Sequence, residues 1–196
     1  PGEGQPFTPP NDAATWLQRQ HEQVATAWRE KLDRVSLQLP AAQQALADTA
    51  RSAQAQMLMS RDGPALQPGT RSYARSWIRD GAMMTEALLR SGHVDVAGEF
   101  VQWYAPHQFS QGKVPCCVDA RGSDPVPEND SQGELIFAIG QWWRYSHDRA
   151  SLQKLWPSIE RAVTYMDELR TGERTPANRA NALYGLMPAS ISHEGY

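Results

Sequence analysis

The sequence has 196 residues, of which 40% are hydrophobic and 21% are charged, and its formal net charge is −3. This balance is typical of a soluble globular protein, and it excludes a nucleic-acid binder that depends on a clustered basic face. No apolar run approaches the length that a transmembrane helix needs, and residues 1–10 lack the basic and apolar regions of a signal peptide. Membrane and nucleic-acid partners are therefore not expected.

Both ends of the sequence look like cut ends. Residues 1–10, PGEGQPFTPP, are typical of a linker, and the sequence stops at SHEGY directly after a loop-like stretch. We therefore expect this chain to be an excerpt whose partner is the remainder of the same polypeptide. The compartment stays open between cytoplasmic and exported, because Cys116 and Cys117 are adjacent and form no framework of spaced disulfides.

Every strong periodic pattern in the chain is helical. Apolar residues at three- and four-residue spacing predict one long amphipathic helix over 12–36, and we interpret residues 11–37 as a helical linker. Further helices are predicted to begin at Pro40, near Asp80, near Asp95, near Asp130 and, within a helical region over 152–169, at Pro157. The stretch 171–196 is predicted to be a loop.

The connections between the predicted helices alternate between short and long. A long polar loop from Phe109 to Asn129 separates two helix pairs, whereas the connections inside each pair are short. We therefore expect an all-α fold of antiparallel helical hairpins over residues 38–196. Helices that follow long loops would then share one orientation and gather their N-terminal ends at one rim.

Acidic residues stand where these rim helices begin. Asp80 and Asp130 lie at the starts of two of them, and Glu194 follows a loop where a further helix would begin. Carboxylates that converge on a cleft are what the cleavage of a glycosidic bond requires. The simpler interpretation is that Asp80 and Asp130 cap their helices and that Glu194 is an exposed loop acid.

The pair Ser131 and Glu134 has the spacing of a capping box, which explains Glu134 without any catalysis. We therefore interpret Glu134 as structural, although a catalytic role stays open.

Four residues near the start of the third predicted helix have the chemistry of a sugar site: Tyr73, Trp77, Arg79 and Asp80. Aromatic faces stack on sugar C–H groups, arginine presents a planar fork of donors, and aspartate accepts from paired hydroxyls. Core packing of Trp77 and a salt bridge of Arg79 are the simpler explanations, but neither explains the whole group. The five histidines lack metal-ligand spacing, and no phosphate-binding loop or serine elbow is present, so no metal or cofactor is expected.

Three segments carry a resemblance to a known superfamily. The segment Tyr73-Ala-Arg-Ser-Trp-Ile-Arg-Asp-Gly81 resembles the WxRDG segment of six-hairpin, (α/α)6-toroid glycosidases, a group that includes glucoamylase-like enzymes, trehalase and glycogen-debranching enzymes. The segment Pro127-Glu-Asn-Asp-Ser-Gln-Gly-Glu134 resembles the next conserved region of that group, an Asn/Gln-x-Asp-x-x-Gly-Glu pattern. Ser192-His-Glu-Gly-Tyr196 sits where glucoamylase-like enzymes place their general acid.

This resemblance implies that residues 38–196 form the first half of such a toroid and belong to an inverting glycoside hydrolase acting on an oligo- or polysaccharide. It implies Glu194 as the general acid, with the general base outside this segment. The substrate-binding residues that we predict are Tyr73, Trp77, Arg79, Asp80, Asn129 and Asp130. Two alternatives stay open: a non-catalytic carbohydrate-binding or scaffolding domain, and a disaccharide phosphorylase on the same toroid.

Overall fold

A computed structural model describes residues 10–191, apart from the side chain of Ser72. Residues 1–9, which make up most of the predicted linker, and Glu194 lie outside the described residues. Seven α-helices form in the described range: α1 (Ala13–Leu32), α2 (Gln44–Met59), α3 (Ile78–Arg90), α4 (Val94–Tyr104), α5 (Ser131–Ser146), α6 (Arg149–Gly172) and α7 (Pro176–Ala180). None of them is both long and apolar enough to cross a bilayer.

The predicted amphipathic helix forms as α1, and the carboxylate of Asp12 caps it by accepting from the Thr15 N–H at 3.1 Å. No residue of α1 is buried among the described residues, so its apolar stripe lies at the surface. The segment after α1 is tied down by Arg34, whose guanidinium binds Asp95 of α4 at 2.6 Å. That α1 is a linker to another domain stays a prediction.

Helices α3 and α4 form a tight antiparallel hairpin. The chain reverses at Gly92, which adopts a positive φ of 81°, while the His93 N–H donates to the Leu88 carbonyl at 2.8 Å. This is the glycine-terminated helix end that the sequence predicts. The main core lies where α3, α4 and α5 pack together, and its largest members are Ile78, Leu88, Leu89, Phe100, Val101, Tyr104, Leu135, Ile139 and Trp142.

Helices α3 and α5 lie side by side and run in the same direction. They pack against each other more extensively than any other two elements. Their N-terminal ends meet, because Arg79 in the first turn of α3 binds Asp130 at the start of α5. Helix α4 packs behind both of them, and α6 packs against α5. The predicted helices are therefore present, and the contacts of these two pairs are those expected of packed hairpins.

The prediction of a purely helical fold is wrong in one respect, because the mostly helical chain also contains a small antiparallel sheet. Its strands are β1 (Ser76–Trp77), β2 (Cys117–Asp119) and β3 (Gly122–Ser123), in the order β1-β2-β3. Trp77 pairs with Cys117, so the sheet joins the start of α3 to the long loop before α5. Strands of two or three residues are too short to produce a detectable alternating pattern.

Two predictions about the C-terminal half are also wrong. Pro157 lies inside α6 and does not open it, because the Asp148 carboxylate starts the helix earlier by accepting from the Ser151 N–H at 3.0 Å. The predicted loop over 171–196 contains the short helix α7, which Thr175 caps and which begins with Pro176, a residue suited to the first helical position.

The close packing of α3 on α4 gives a test of the core. Gly81 of α3 faces the fully buried ring of Phe100, and a Cβ at residue 81 would overlap that ring. We expect Gly81→Ala to lower the free energy of unfolding by about 1–3 kcal/mol, since the ring must move within a packed core.

The matched control is Gly140→Ala in α5, where a Cβ would meet no atom within 4 Å. This control is expected to raise the free energy of unfolding by up to about 1 kcal/mol, because alanine favours the helix. Urea unfolding of both variants measures the difference, and equal effects of the two substitutions would contradict this packing.

Candidate functional site

Arg79 joins the starts of α3 and α5. Its Nε donates to Asp130 Oδ2 at 2.7 Å, and its Nη2 donates to Glu128 Oε2 at 3.3 Å. Glu128 is only 4% exposed, whereas the side chain of Arg79 is 27% exposed and that of Asp130 41%. The three residues, which we call the Arg79 cluster, thus form a charged group that is anchored in the interior and reaches the surface.

The structure contradicts the interpretation of the two aspartates as helix caps. Helix α3 is preceded by Trp77 at its N-cap position, so Asp80 lies inside the first turn. Asp130 does occupy the N-cap position of α5, but its side chain makes no capping hydrogen bond. Its carboxylate accepts from Arg79 instead. The acid at position 130 is therefore explained by the ion pair with Arg79 and not by helix capping.

The capping box is also contradicted. Ser131 is the first residue of α5 and not its cap, and its Oγ is buried with no hydrogen-bond partner among the described residues. Glu134 lies half-buried in the first turn, near the Arg79 cluster. Burial, and then the negative charge of Asp130, raise the pKa of Glu134, while Arg79 partly offsets this effect. Glu134 is thus a carboxyl beside the cluster that protonates more readily than an exposed glutamate.

Trp77 is held in place by the sheet and by a second arginine, Arg75. The guanidinium carbon of Arg75 lies 5.2 Å from the centre of the Trp77 ring, within the range of a cation–π contact. Arg75 itself is fixed by Asp119 at 2.8 Å and by Asp124 at 2.7 Å. The tryptophan is therefore half-buried against an arginine that two aspartates hold in place, a contact that the sequence did not predict.

Asp80 faces a different space from that of the Arg79 cluster. It lines an open cleft of about 500 Å³ between α2, residues 67–70 and α3. Methionines make up much of the apolar wall of this cleft: Met57, Met83 and Met84. Asp80 is therefore close to the cluster along the chain, but it serves a neighbouring surface.

Asn129 fastens the last described segment of the chain to the loop before α5. Its Nδ2 donates to the Pro188 carbonyl at 2.9 Å. Pro127, two residues before Asn129, accepts a second bond from this segment, because its carbonyl binds the Ile191 N–H at 3.1 Å. The observed role of Asn129 is thus to anchor residues 188–191 beside the Arg79 cluster.

Tyr73 is not brought into the Arg79 cluster. It lies in a short 3₁₀ turn over Arg71–Tyr73, and it is 63% exposed. Of the predicted substrate-binding residues, the structure thus joins Arg79 to Asp130 and leaves Tyr73 apart. The catalytic candidate Glu194 lies outside the described residues.

Sequence reasoning missed two residues of this region, Glu128 and Arg75. Glu128 belongs to the Pro127–Glu134 segment. Its position two residues before Asp130 was the only sequence feature that pointed to a role beside that aspartate. Arg75 had no signal of its own, since its partners Asp119 and Asp124 are more than forty residues away in the chain. One group of three potential metal ligands occurs among the described residues, formed by Cys116, Cys117 and Asp124.

No protein-family model matches the chain, and no curated protein or solved structure shows a significant similarity to it.

The Arg79 cluster predicts a non-additive effect of two substitutions. Arg79→Ala removes the positive charge beside the buried Glu128 carboxylate, and we expect it to lower the free energy of unfolding by about 3 kcal/mol. Adding Glu128→Gln should restore part of that loss, because the negative charge that Arg79 contacted is then gone.

Urea unfolding of both single variants and the double variant gives the coupling energy between the residues. Arg121→Ala is the control, since this arginine is exposed and pairs only with Asp119 among the salt bridges described. Strictly additive losses from Arg79→Ala and Glu128→Gln would show that the two residues do not interact.

The raised pKa of Glu134 predicts a pH-dependent effect of Glu134→Gln. Between the ordinary value of 4.5 and the higher folded-state pKa, the native state binds more protons than the unfolded state, so stability falls as pH rises. The glutamine variant lacks this loss. It should be more stable than the wild type at pH 7, by less than about 1 kcal/mol for a partly exposed group, and equal to it below pH ~4.

Urea unfolding at both pH values measures this difference, with Glu168→Gln on the exposed face of α6 as the control. The raised pKa would be contradicted if the stability of the wild type relative to Glu134→Gln increased between pH ~4 and pH 7.

Proposed function

We propose that the Arg79 cluster forms part of the sugar-binding rim of a glycoside hydrolase that acts on an oligo- or polysaccharide. The observation that carries the proposal is the placement of Arg79 between Glu128 and Asp130, where two parallel helices begin. Sugar hydroxyls both donate and accept hydrogen bonds, so a fixed guanidinium beside carboxylates suits a pair of neighbouring hydroxyls. Trp77, which is half-buried and precedes Arg79 by two residues, would provide an apolar face for the sugar ring.

The packing of the hairpins supports the first part of an (α/α)6 toroid. In such a fold, parallel inner helices surround an axis and antiparallel outer helices lie behind them. Helices α3 and α5 have the arrangement of two inner helices, and α4 lies behind both. Their joined N-terminal ends would then form one segment of the toroid's rim, with the remaining hairpins contributed by the rest of the polypeptide.

Glu194 is our proposed general acid, and the base is proposed to come from outside this segment. Support comes from the segment that precedes Glu194, because Ile191 is fixed at Pro127, one residue from Glu128. Glu194 follows Ile191 by three residues, and three residues of chain span at most about 10 Å. This reach is compatible with a carboxyl at the rim.

The test is an assay of the natural protein that contains this chain against a panel of oligosaccharides. We expect hydrolysis of at least one glycan without a need for phosphate. Glu194→Gln should lower kcat by about 10²–10⁴-fold, as expected for the loss of a proton donor, and leave the urea midpoint unchanged. Arg79→Lys should mainly raise KM, because lysine keeps the charge but not the planar fork of donors.

The other outcomes separate the alternative functions. Saturable glycan binding without turnover would show a non-catalytic carbohydrate-binding domain. Turnover that requires inorganic phosphate would show a phosphorylase. Wild-type turnover by Glu194→Gln would contradict the assignment of the acid, and the absence of both binding and turnover across the panel would contradict the whole proposal.

A further inference from the structure

Two buried thiols and a carboxylate converge beneath the sheet. The sulfur atoms of Cys116 and Cys117 are 3.6 Å apart, and Cys117 Sγ lies 3.8 Å from Asp124 Oδ2. All three potential ligand atoms lie within 4.8 Å of one another. Side chains of adjacent residues in a strand point to opposite faces, but Cys116 precedes β2 and Cys117 begins it, so the bend there brings both sulfurs together.

We propose that Cys116, Cys117 and Asp124 bind one zinc ion. Two sulfurs that each lie about 2.3 Å from a tetrahedral zinc ion are about 3.8 Å apart, and a sulfur and a carboxylate oxygen are about 3.5 Å apart. The sulfur–sulfur separation and the distance from Cys117 Sγ to Asp124 Oδ2 are within 0.3 Å of these values. Cys116 Sγ and the Asp124 carboxylate lie within 4.8 Å of each other, so closing on the metal requires them to approach by at most about 1.3 Å. A water molecule would complete the coordination.

The ligand types favour zinc over other common cations. Thiolates are soft ligands that magnesium and calcium avoid, while a carboxylate is a poor ligand for monovalent copper. Binding of Zn²⁺ displaces the two thiol protons to solvent, and two Zn–S bonds and one Zn–O bond form. The ion brings two positive charges and two protons leave, so the net charge of this buried site does not change.

The surroundings fix the carboxylate in the manner of an outer coordination shell. Asp124 Oδ1 accepts from the Val126 N–H at 3.0 Å, and Oδ2 accepts from Arg75 at 2.7 Å. Hydrogen bonds of this kind orient a metal ligand. The positive charge of Arg75 opposes that of the metal, so its contribution here is to position the carboxylate. Because Arg75 also contacts the ring of Trp77, the bound ion would stiffen the connection between the loop before α5 and the start of α3. The zinc site stands independently of the proposed glycosidase activity.

The experiment uses the whole chain, reduced with a phosphine and freed of metal. Cd²⁺ serves as the probe, because cadmium thiolates absorb in the near ultraviolet, and Zn²⁺ affinity follows from competition with a chromogenic chelator. We expect one equivalent of either metal to bind. The absorption should disappear in Cys116→Ser and in Cys117→Ser, and Asp124→Asn should weaken zinc affinity by about 10–100-fold.

The matched control is Asp119→Asn. Asp119 also pairs with Arg75 and lies in the same sheet, but it supplies none of the three clustered ligand atoms, so its loss should change zinc affinity by much less than the roughly 10–100-fold expected for Asp124→Asn. Zinc should also raise the urea midpoint of the wild type and leave that of Cys117→Ser unchanged.

X-ray absorption of the zinc-loaded wild type tests the site without any variant. The proposal requires two sulfur atoms at about 2.3 Å from the metal. A shell of only nitrogen and oxygen, no stoichiometric uptake by the reduced protein at micromolar metal, or uptake unchanged in both serine variants would each overturn it.

Discussion

The arrangement of the two parallel helices depends on the guanidinium group of Arg79. Two helix N-terminal ends and the carboxylates of Glu128, Asp130 and Glu134 come together there, and a single planar cation bridges the first two acids. Carboxylates at this proximity repel one another unless a positive charge lies between them, and Glu134 protonates more readily for this reason as well as through burial. Arg79 thus holds the two helix ends together, whereas burial and the charge of Asp130 raise the pKa of Glu134.

The small sheet connects the start of α3 to the long loop before α5. It joins two parts of the chain that lie forty residues apart, and it holds Trp77 where its ring contacts Arg75. The Arg75 pairs with Asp119 and Asp124 brace the hairpin of β2 and β3 against the start of α3. These contacts attach the long loop before α5, which ends in Glu128 and Asp130, to the start of α3.

The helices were predictable because their signals are local. Periodic apolar residues and the terminal glycine Gly92 each determine structure within a few residues, so the main helices and the turn between α3 and α4 followed from the sequence. The sheet, the burial of Glu128 and the anchoring role of Asn129 depend on partners forty to sixty residues away, which no short pattern encodes. The aspartates illustrate the difference: Asp130 looked like a helix cap locally, yet its distant partner Arg79 determines where its carboxylate lies.

The most direct test of the account is whether a sugar contacts the surface beside Arg79. The indole N–H signals of a ¹⁵N-labelled protein can be followed by NMR while an oligosaccharide is titrated. We predict a saturable shift of the Trp77 signal that is lost in Arg79→Ala, with no shift of the signal of Trp156, which is exposed on α6. A saturable shift confined to other tryptophans, or a Trp77 shift that persists unchanged in Arg79→Ala, would contradict a sugar-binding role for this rim.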